Sequence, residues 1–313
     1  MLENNEKLRT KIITGVFIGA FVFLLFILLG DINLIIETIS KIHPIYLLAT
    51  IVISFLGYYL RFLKWSYLLN TVGIHVPQRD SFNIYWIGRA MSITPGKVGE
   101  LIKIHSLKKL NKTELSKSSP VILSEWITDL FGILLIMSLG ITLFSFGVVL
   151  FFTVFLGLTI TLFILQRPKL SISIIEFLCK VKWVEKRKES IIQFYGNTQD
   201  LFKFKPLAIS ILLSALAWLT DCISLYIFTK SLGLDLSLLH NLFIFSFGTL
   251  AGAVSMLPGG MGVSEISMTG LFLSFGVEKS LAISLTLLIR VITLWLGVAI
   301  GIIVFFKKKT KYI

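Results

Sequence analysis

Charge is what this 313-residue sequence has least of. Only 15% of its residues are Asp, Glu, Lys or Arg, against 55% hydrophobic, and its mean hydropathy is +0.88. A soluble globule of this length needs more polar surface than that, so the soluble classes are excluded. Cysteine is almost absent. Cys179 and Cys222 have no short-range partners, which excludes a disulfide framework and a zinc site. His43, His75, His105 and His240 are scattered, so neither a metal nor another cofactor is expected. There is no P-loop, no nucleophile with a base at a catalytic spacing, and no polar segment long enough for a catalytic domain. The enzymatic alternative that survives is a wholly intramembrane transferase using Glu100, Glu125 or Asp129.

What is present is a series of long apolar runs. About 20 apolar residues cross about 30 Å of hydrocarbon, and six runs qualify: Ile12 to Gly30, Pro44 to Leu60, Val121 to Ser145, Phe146 to Leu165, Leu207 to Thr229 and Ala282 to Phe306. The first follows Lys7, Arg9 and Lys11 but lacks a small-residue cleavage site, so it reads as an uncleaved span rather than a signal peptide. Basic residues cluster at the N-terminus, between Arg61 and Arg79, between Lys97 and Lys117, between Arg167 and Lys205, and in the tail from Lys307. The opposite connections offer only Lys41, Lys230 and Lys279. The positive-inside rule then places both termini in the cytoplasm of a multi-pass cell-membrane protein. It also explains the net charge of +13 without nucleic acid.

Two of the seven prolines stand in matching contexts. Ser92-Ile-Thr-Pro95-Gly96-Lys97-Val-Gly99-Glu100 and Ser255-Met-Leu-Pro258-Gly259-Gly260-Met-Gly262 share the pattern Ser-x-x-Pro-Gly-x-x-Gly at an offset of 163. Each ends an apolar stretch, Ser81 to Thr94 or His240 to Leu257, that is left over from the six spans. The flanking charges put both ends of the first stretch inside and both ends of the second outside. Each break therefore reads as the tip of a re-entrant helical hairpin, and the two hairpins point in opposite directions. The bland alternative is that Pro95 and Pro258 merely end helices in interfacial loops.

The expected fold is all-α and polytopic, with six full spans and two re-entrant hairpins in an inverted repeat. Residues 1–43 form the first span and an outer loop, 44–145 repeat one and 146–206 a span with a linker. Residues 207–306 form repeat two and 307–313 a basic tail. The linker alternates apolar Ile172, Ile175, Phe177 and Leu178 with Lys180 and Lys188. It reads as amphipathic helices on the anionic leaflet, or as a solvated connection.

Charges inside a bilayer mark a pathway or a structural pair. The candidates are Arg89, Glu125, Asp129, Asp221, Glu265 and Arg290. Glu125 and Asp129 share a helix face, and the offset places Ile127 opposite Arg290, so an ion pair between Arg290 and one of those acids is expected. Glu125, Asp129 and Asp221 are ion-pair or proton-site candidates. Arg89 and Arg290 are candidate phosphate ligands, helped by free backbone N–H groups at the glycine-rich tips. Arg61, Lys64 and Trp65, where a span leaves the membrane, read as an interfacial anchor or as a lipid-phosphate cluster.

Arg61-Phe-Leu-Lys64-Trp65, Pro95-Gly96-Lys-Val-Gly99-Glu100, Glu125-x-x-x-Asp129, Leu257-Pro258-Gly259-Gly260-Met-Gly262-Val-x-Glu265 and Arg290, in this order, resemble the lysylphosphatidylglycerol synthase transmembrane region. That family is also called the flippase-like domain or UPF0104. The resemblance implies a lipid flippase-like protein. In the aminoacyl-lipid synthases this part moves lysylated phosphatidylglycerol to the outer leaflet, and a soluble transferase domain follows it. Here the chain ends soon after the last apolar run, so lysyl transfer is not expected. The leading substrate is then a phosphate-bearing or glycosylated lipid of phospholipid or polyprenyl-phosphate type. The rival reading is a membrane subunit or enzyme of lipid-linked sugar or aminoacyl-lipid synthesis, and the blandest is a scaffold with no substrate. Expected partners are the lipid, a separate lipid-modifying transferase and a second copy of the chain.

Overall fold

In the computed structural model, residues 32–143, 145–181, 185 and 188–312 are described. The expected first span, Ile12 to Gly30, and part of the linker lie outside them. All regular elements among the described residues are helical. After α1 (Ile32–Lys41) come α2 (Pro44–Thr71), α3 (Gln78–Ala90), a 3-10 turn (Pro95–Leu101), α4 (Ile102–Asn111) and α5 (Leu115–Gly140). Then follow α6 (Ser145–Gln166), α7 (Pro168–Leu178) and α8 (Lys188–Leu201). A similar order of elements then recurs: α9 (Phe204–Ser231), α10 (Leu238–Val254), a 3-10 turn (Pro258–Gly260) and α11 (Val263–Ser274). It closes with α12 (Lys279–Arg290), a π turn (Val291–Trp295) and α13 (Leu296–Tyr312).

Among the described residues, five helices are long and apolar enough to cross a membrane: Pro44–Thr71, Leu115–Gly140, Gly147–Gln166, Phe204–Ser231 and Lys279–Lys308. They match the five expected runs inside the described residues. The helices flanking the two Pro-Gly breaks have 13, 10, 17 and 12 residues; at 1.5 Å per residue three are too short to span, and α10, with 17, stands at the lower limit of spanning length.

The repeat is offset differently along its length. α2 and α9 each have 28 residues and start and end 160 positions apart, and each is followed by a left-handed glycine, Gly73 or Gly233. The breaks stand 163 apart because α10 is longer than α3. The single offset expected from the motifs therefore does not hold through the first helix of each half.

Close approach of the helices is set by small residues. A Cβ on Gly132 would stand 2.6 Å from the Ser214 Cβ, so α5 and α9 pack nearly backbone to backbone. Pro120 lies within α5 and has no N–H for the Ser116 carbonyl. Asn197 of α8 supplies the missing donor at 3.1 Å. Among its described residues the linker holds the helices α7 and α8, and α7 exposes Leu170, Ile172, Ile174, Phe177 and Leu178. At the far end, the Tyr312 hydroxyl donates to Asp80 at 2.5 Å and accepts from Asn83 at 3.1 Å, while Lys311 meets Asp80 at 2.6 Å. This clasp fastens α13 to the start of the first hairpin.

Candidate functional site

The two breaks meet. Gly96 N–H donates to the Met256 carbonyl at 3.0 Å, and a cavity of about 440 Å³ opens beside this contact. Its walls come from α2, α3, α5, α9, α10, both tips and the π turn after Arg290. Freed backbone groups at such breaks are tolerated at membrane depth only when protein or a water-filled cavity satisfies them.

The tip backbones follow from their glycines. Gly96 (φ 57°), Gly259 (φ 59°) and Gly260 (φ 67°) are left-handed, where glycine pays no Cβ penalty. At the tips, two residues with side chains share that region: Met256 (φ 53°), just before the second break, and Lys97, which holds φ 57° at the position where the second repeat has Gly260. A non-glycine residue there costs about 1–2 kcal/mol. Strain of this kind persists where the surroundings over-determine it, and at Lys97 it belongs to an ammonium-bearing residue on the cavity wall.

Tip N–H groups are not offered to the cavity as expected. Gly96, Lys97, Gly99, Gly260, Met261 and Gly262 all donate internally, to the Met256, Thr94, Leu257 and Pro258 carbonyls, the Thr94 hydroxyl and the Glu265 carboxylate. The turns consume these six donors, which leaves the side chains as the stronger anion ligands on the wall. Pro95 is exposed beside the cavity, and Pro258 opens the second turn.

Arg61 and Lys64 are corrected most. The helix does not end at Leu60 but runs to Thr71, and Arg61, Lys64 and Trp65 are buried. They are not an interfacial anchor. Arg61 meets Asp221 at 2.7 Å and lies 4.5 Å from the Trp218 ring centroid. At the 160 offset, Arg61 and Asp221 are equivalent positions, so this pair joins α2 to α9. Lys64, 1% exposed, meets Asp129 at 2.5 Å and donates to Ser214 at 2.9 Å.

The expected pairing of Arg290 with Glu125 or Asp129 is also overturned. Arg290 Nε donates to Glu265 Oε1 at 2.5 Å, and Nη2 donates to the Gly259 carbonyl at 2.7 Å. Glu265, 1% exposed, uses its other oxygen to cap α11 at Gly262 N–H, 2.6 Å away. Glu125 belongs to a buried lysine that sequence reading had placed in a cytoplasmic loop: Lys103 meets it at 2.6 Å and Glu100 at 3.4 Å. Buried ions need such partners, because desolvating a lone charge is costly.

Arg89 is different. Among the described residues it has no carboxylate partner; its Nη2 makes one long contact, 3.4 Å, to the Thr293 carbonyl, and its buried Nε has no acceptor. Its guanidinium lies 5.4 Å from the Tyr58 ring centroid. Thr293 and Ile292 belong to the π turn, whose rearranged carbonyls also accept from the Tyr58 hydroxyl, at 3.2 and 2.7 Å. π turns recur at functional sites, and nothing in Val-Ile-Thr-Leu-Trp announces one. Tyr58, Lys103, Trp126 and Trp218 were likewise missed, since ordinary aromatics and a lysine in a basic stretch carry no signal. Lys97 could have been found by asking which residue replaces Gly260 in the other repeat.

The sequence profile of the lysylphosphatidylglycerol synthase transmembrane region matches residues 12–301. The chain belongs to that family. Among similar proteins of the family are a UPF0104 membrane protein of Methanothermobacter thermautotrophicus, 32% identical over 78% of this chain and 77% of the relative, and one of Pyrococcus horikoshii, 26% identical over 79% and 82%. One of Methanocaldococcus jannaschii is 23% identical over 95% of both chains. Family membership and the five apolar helices make this an integral membrane protein of a lipid-related family.

Proposed function

We propose that this protein carries a phosphate-bearing or glycosylated lipid between membrane leaflets, with the headgroup passing through the cavity between the hairpin tips and the tails remaining in lipid. The observation that carries the reading is Arg89: a guanidinium without a carboxylate partner among the described residues, on the wall of a cavity of ligand size. Arginine suits phosphate because its planar fork donates two hydrogen bonds. Val254, Met256 and Leu257 line the same cavity and are exposed, which supports a lateral opening for tails.

The reading has both termini in the cytoplasm of a cell-membrane protein. With Arg61, Lys64 and Lys103 buried in pairs, orientation rests on the basic N-terminus, the linker and the tail. The exposed apolar face of α7 beside Lys169 and Lys180 supports docking on the anionic leaflet.

The test is leaflet exchange of headgroup-labelled phospholipid and polyprenyl phosphate in proteoliposomes. Wild-type protein is expected to exchange at least one of them faster than empty vesicles, and Arg89→Gln to lose most of that rate while staying folded. Exchange at the wild-type rate in Arg89→Gln vesicles would remove the cavity from the path. Product formation by the protein in detergent would instead favour the transferase reading.

A further inference from the structure

Six ionisable side chains line the cavity: Arg61, Arg89, Lys97, Asp129, Asp221 and Arg290. Four are compensated at contact distance: Arg61 by Asp221 (2.7 Å), Asp129 by Lys64 (2.5 Å) and Arg290 by Glu265 (2.5 Å). Arg89 and Lys97 remain, and neither has a carboxylate within 4.0 Å among the described residues. They flank one break, Arg89 near the end of α3 and Lys97 just past Pro95. The wall therefore carries two uncompensated positive charges.

We infer that the cavity takes a dianionic phosphate, the terminal phosphomonoester of a lipid, in preference to a phosphodiester, and that it rejects headgroups of net positive charge. This deepens the lipid-carrying reading and rests on it. A monoanion leaves one of the two cations without compensation in a poorly solvated site, whereas a dianion closes the balance. An added ammonium on the headgroup meets Arg61, Arg89, Lys97 and Arg290, while Asp129 and Asp221 are already paired. Discrimination of this kind works by repulsion as much as by attraction.

The charge of the ligand gives a readout that packing does not. A phosphomonoester gains its second charge near pH 6, and a phosphodiester does not. The groups facing it are the six above, with Tyr58 behind Arg89.

The experiment measures binding to the full chain in detergent micelles. The probes are short-chain phosphatidic acid, phosphatidylglycerol and an aminoacylated phosphatidylglycerol, with inorganic phosphate as competitor. Wild type is expected to favour phosphatidic acid by about 10–100-fold, the range of one charge-assisted hydrogen bond, and to lose that preference as pH falls below about 6. Lys97→Gln is expected to erase the preference while keeping phosphatidylglycerol binding, and Arg89→Gln to weaken both lipids. Melting temperatures of both variants check that they fold. Equal wild-type affinity for the two lipids, or a preference that survives Lys97→Gln, overturns the dianion inference while leaving translocation standing if Arg89→Gln still abolishes leaflet exchange. Tightest binding of the aminoacylated lipid overturns it as well. Inorganic phosphate competing as strongly as phosphatidic acid would assign the site to free phosphate and remove the lipid. Equal wild-type affinity for the two lipids together with unimpaired leaflet exchange in Arg89→Gln would sink both readings.

Discussion

The two hairpin tips share a turn and differ in what they do with charge. At the second tip Arg290 and Glu265 satisfy each other, Gly259 and Gly262, and the turn packs so closely on α10 that a Cβ on Gly252 would stand 2.0 Å from the Ser264 Oγ. At the first tip Arg89 has no carboxylate partner among the described residues, and Lys97 holds a left-handed conformation that its counterpart gives to glycine. One tip is a closed structural joint. The other holds cations ready for a ligand.

The largest effect follows from opening the joint. Glu265→Ala leaves the Arg290 guanidinium buried and unpaired, and should cost about 3–5 kcal/mol, read as a fall in melting temperature in detergent. Removing the corresponding charge at the other tip should do the opposite. Arg89→Gln deletes an uncompensated charge, so the melting temperature is expected to hold or rise while leaflet exchange falls. An equal loss of stability in the two variants would erase the distinction between the tips.

A smaller effect tests the strain. Lys97→Gly should stabilise the apo protein by up to about 1 kcal/mol, less glycine's larger unfolded-state entropy, and weaken anion binding. Gly260→Ala should destabilise, because a Cβ there meets the Gly252 Cα and the Ser264 Oγ at 3.0 Å.

The smallest effect lies outside both tips, at the clasp between α13 and α3. Hydrogen bonds from Lys311 and then Tyr312 hold the Asp80 carboxyl below its ordinary value of 3.8. A depressed carboxyl contributes stability above its unfolded pKa and loses it as pH falls through the folded one. The melting-temperature gap between wild type and Asp80→Asn should be small, constant from about pH 5 to 8, and closed well below about pH 4.

The contrast between the tips also marks what a single sequence conveys. Length and hydropathy located the five helices, and proline with glycine located the breaks, because those signals are local. Pairing of buried charge is not local. Arg61 and Lys64 looked like the end of a span because two cations three residues apart follow its uncharged run, and only folding brings Asp221, 160 residues away, and Asp129, 65 residues away, against them. The partner of Arg290 was misplaced by carrying one offset through a repeat whose hairpins differ in length. Lys103 was counted as a loop charge for the same reason: Glu125 reaches it from the next long helix.

The central claim is that an anionic headgroup occupies the cavity against Arg89 and Lys97. Electron microscopy of the protein in nanodiscs containing phosphatidic acid tests it most directly. The account predicts phosphate density between those two side chains, with tails leaving past Met256 and Leu257. Lipid density confined to the outer surface, with the cavity holding only water, would contradict it.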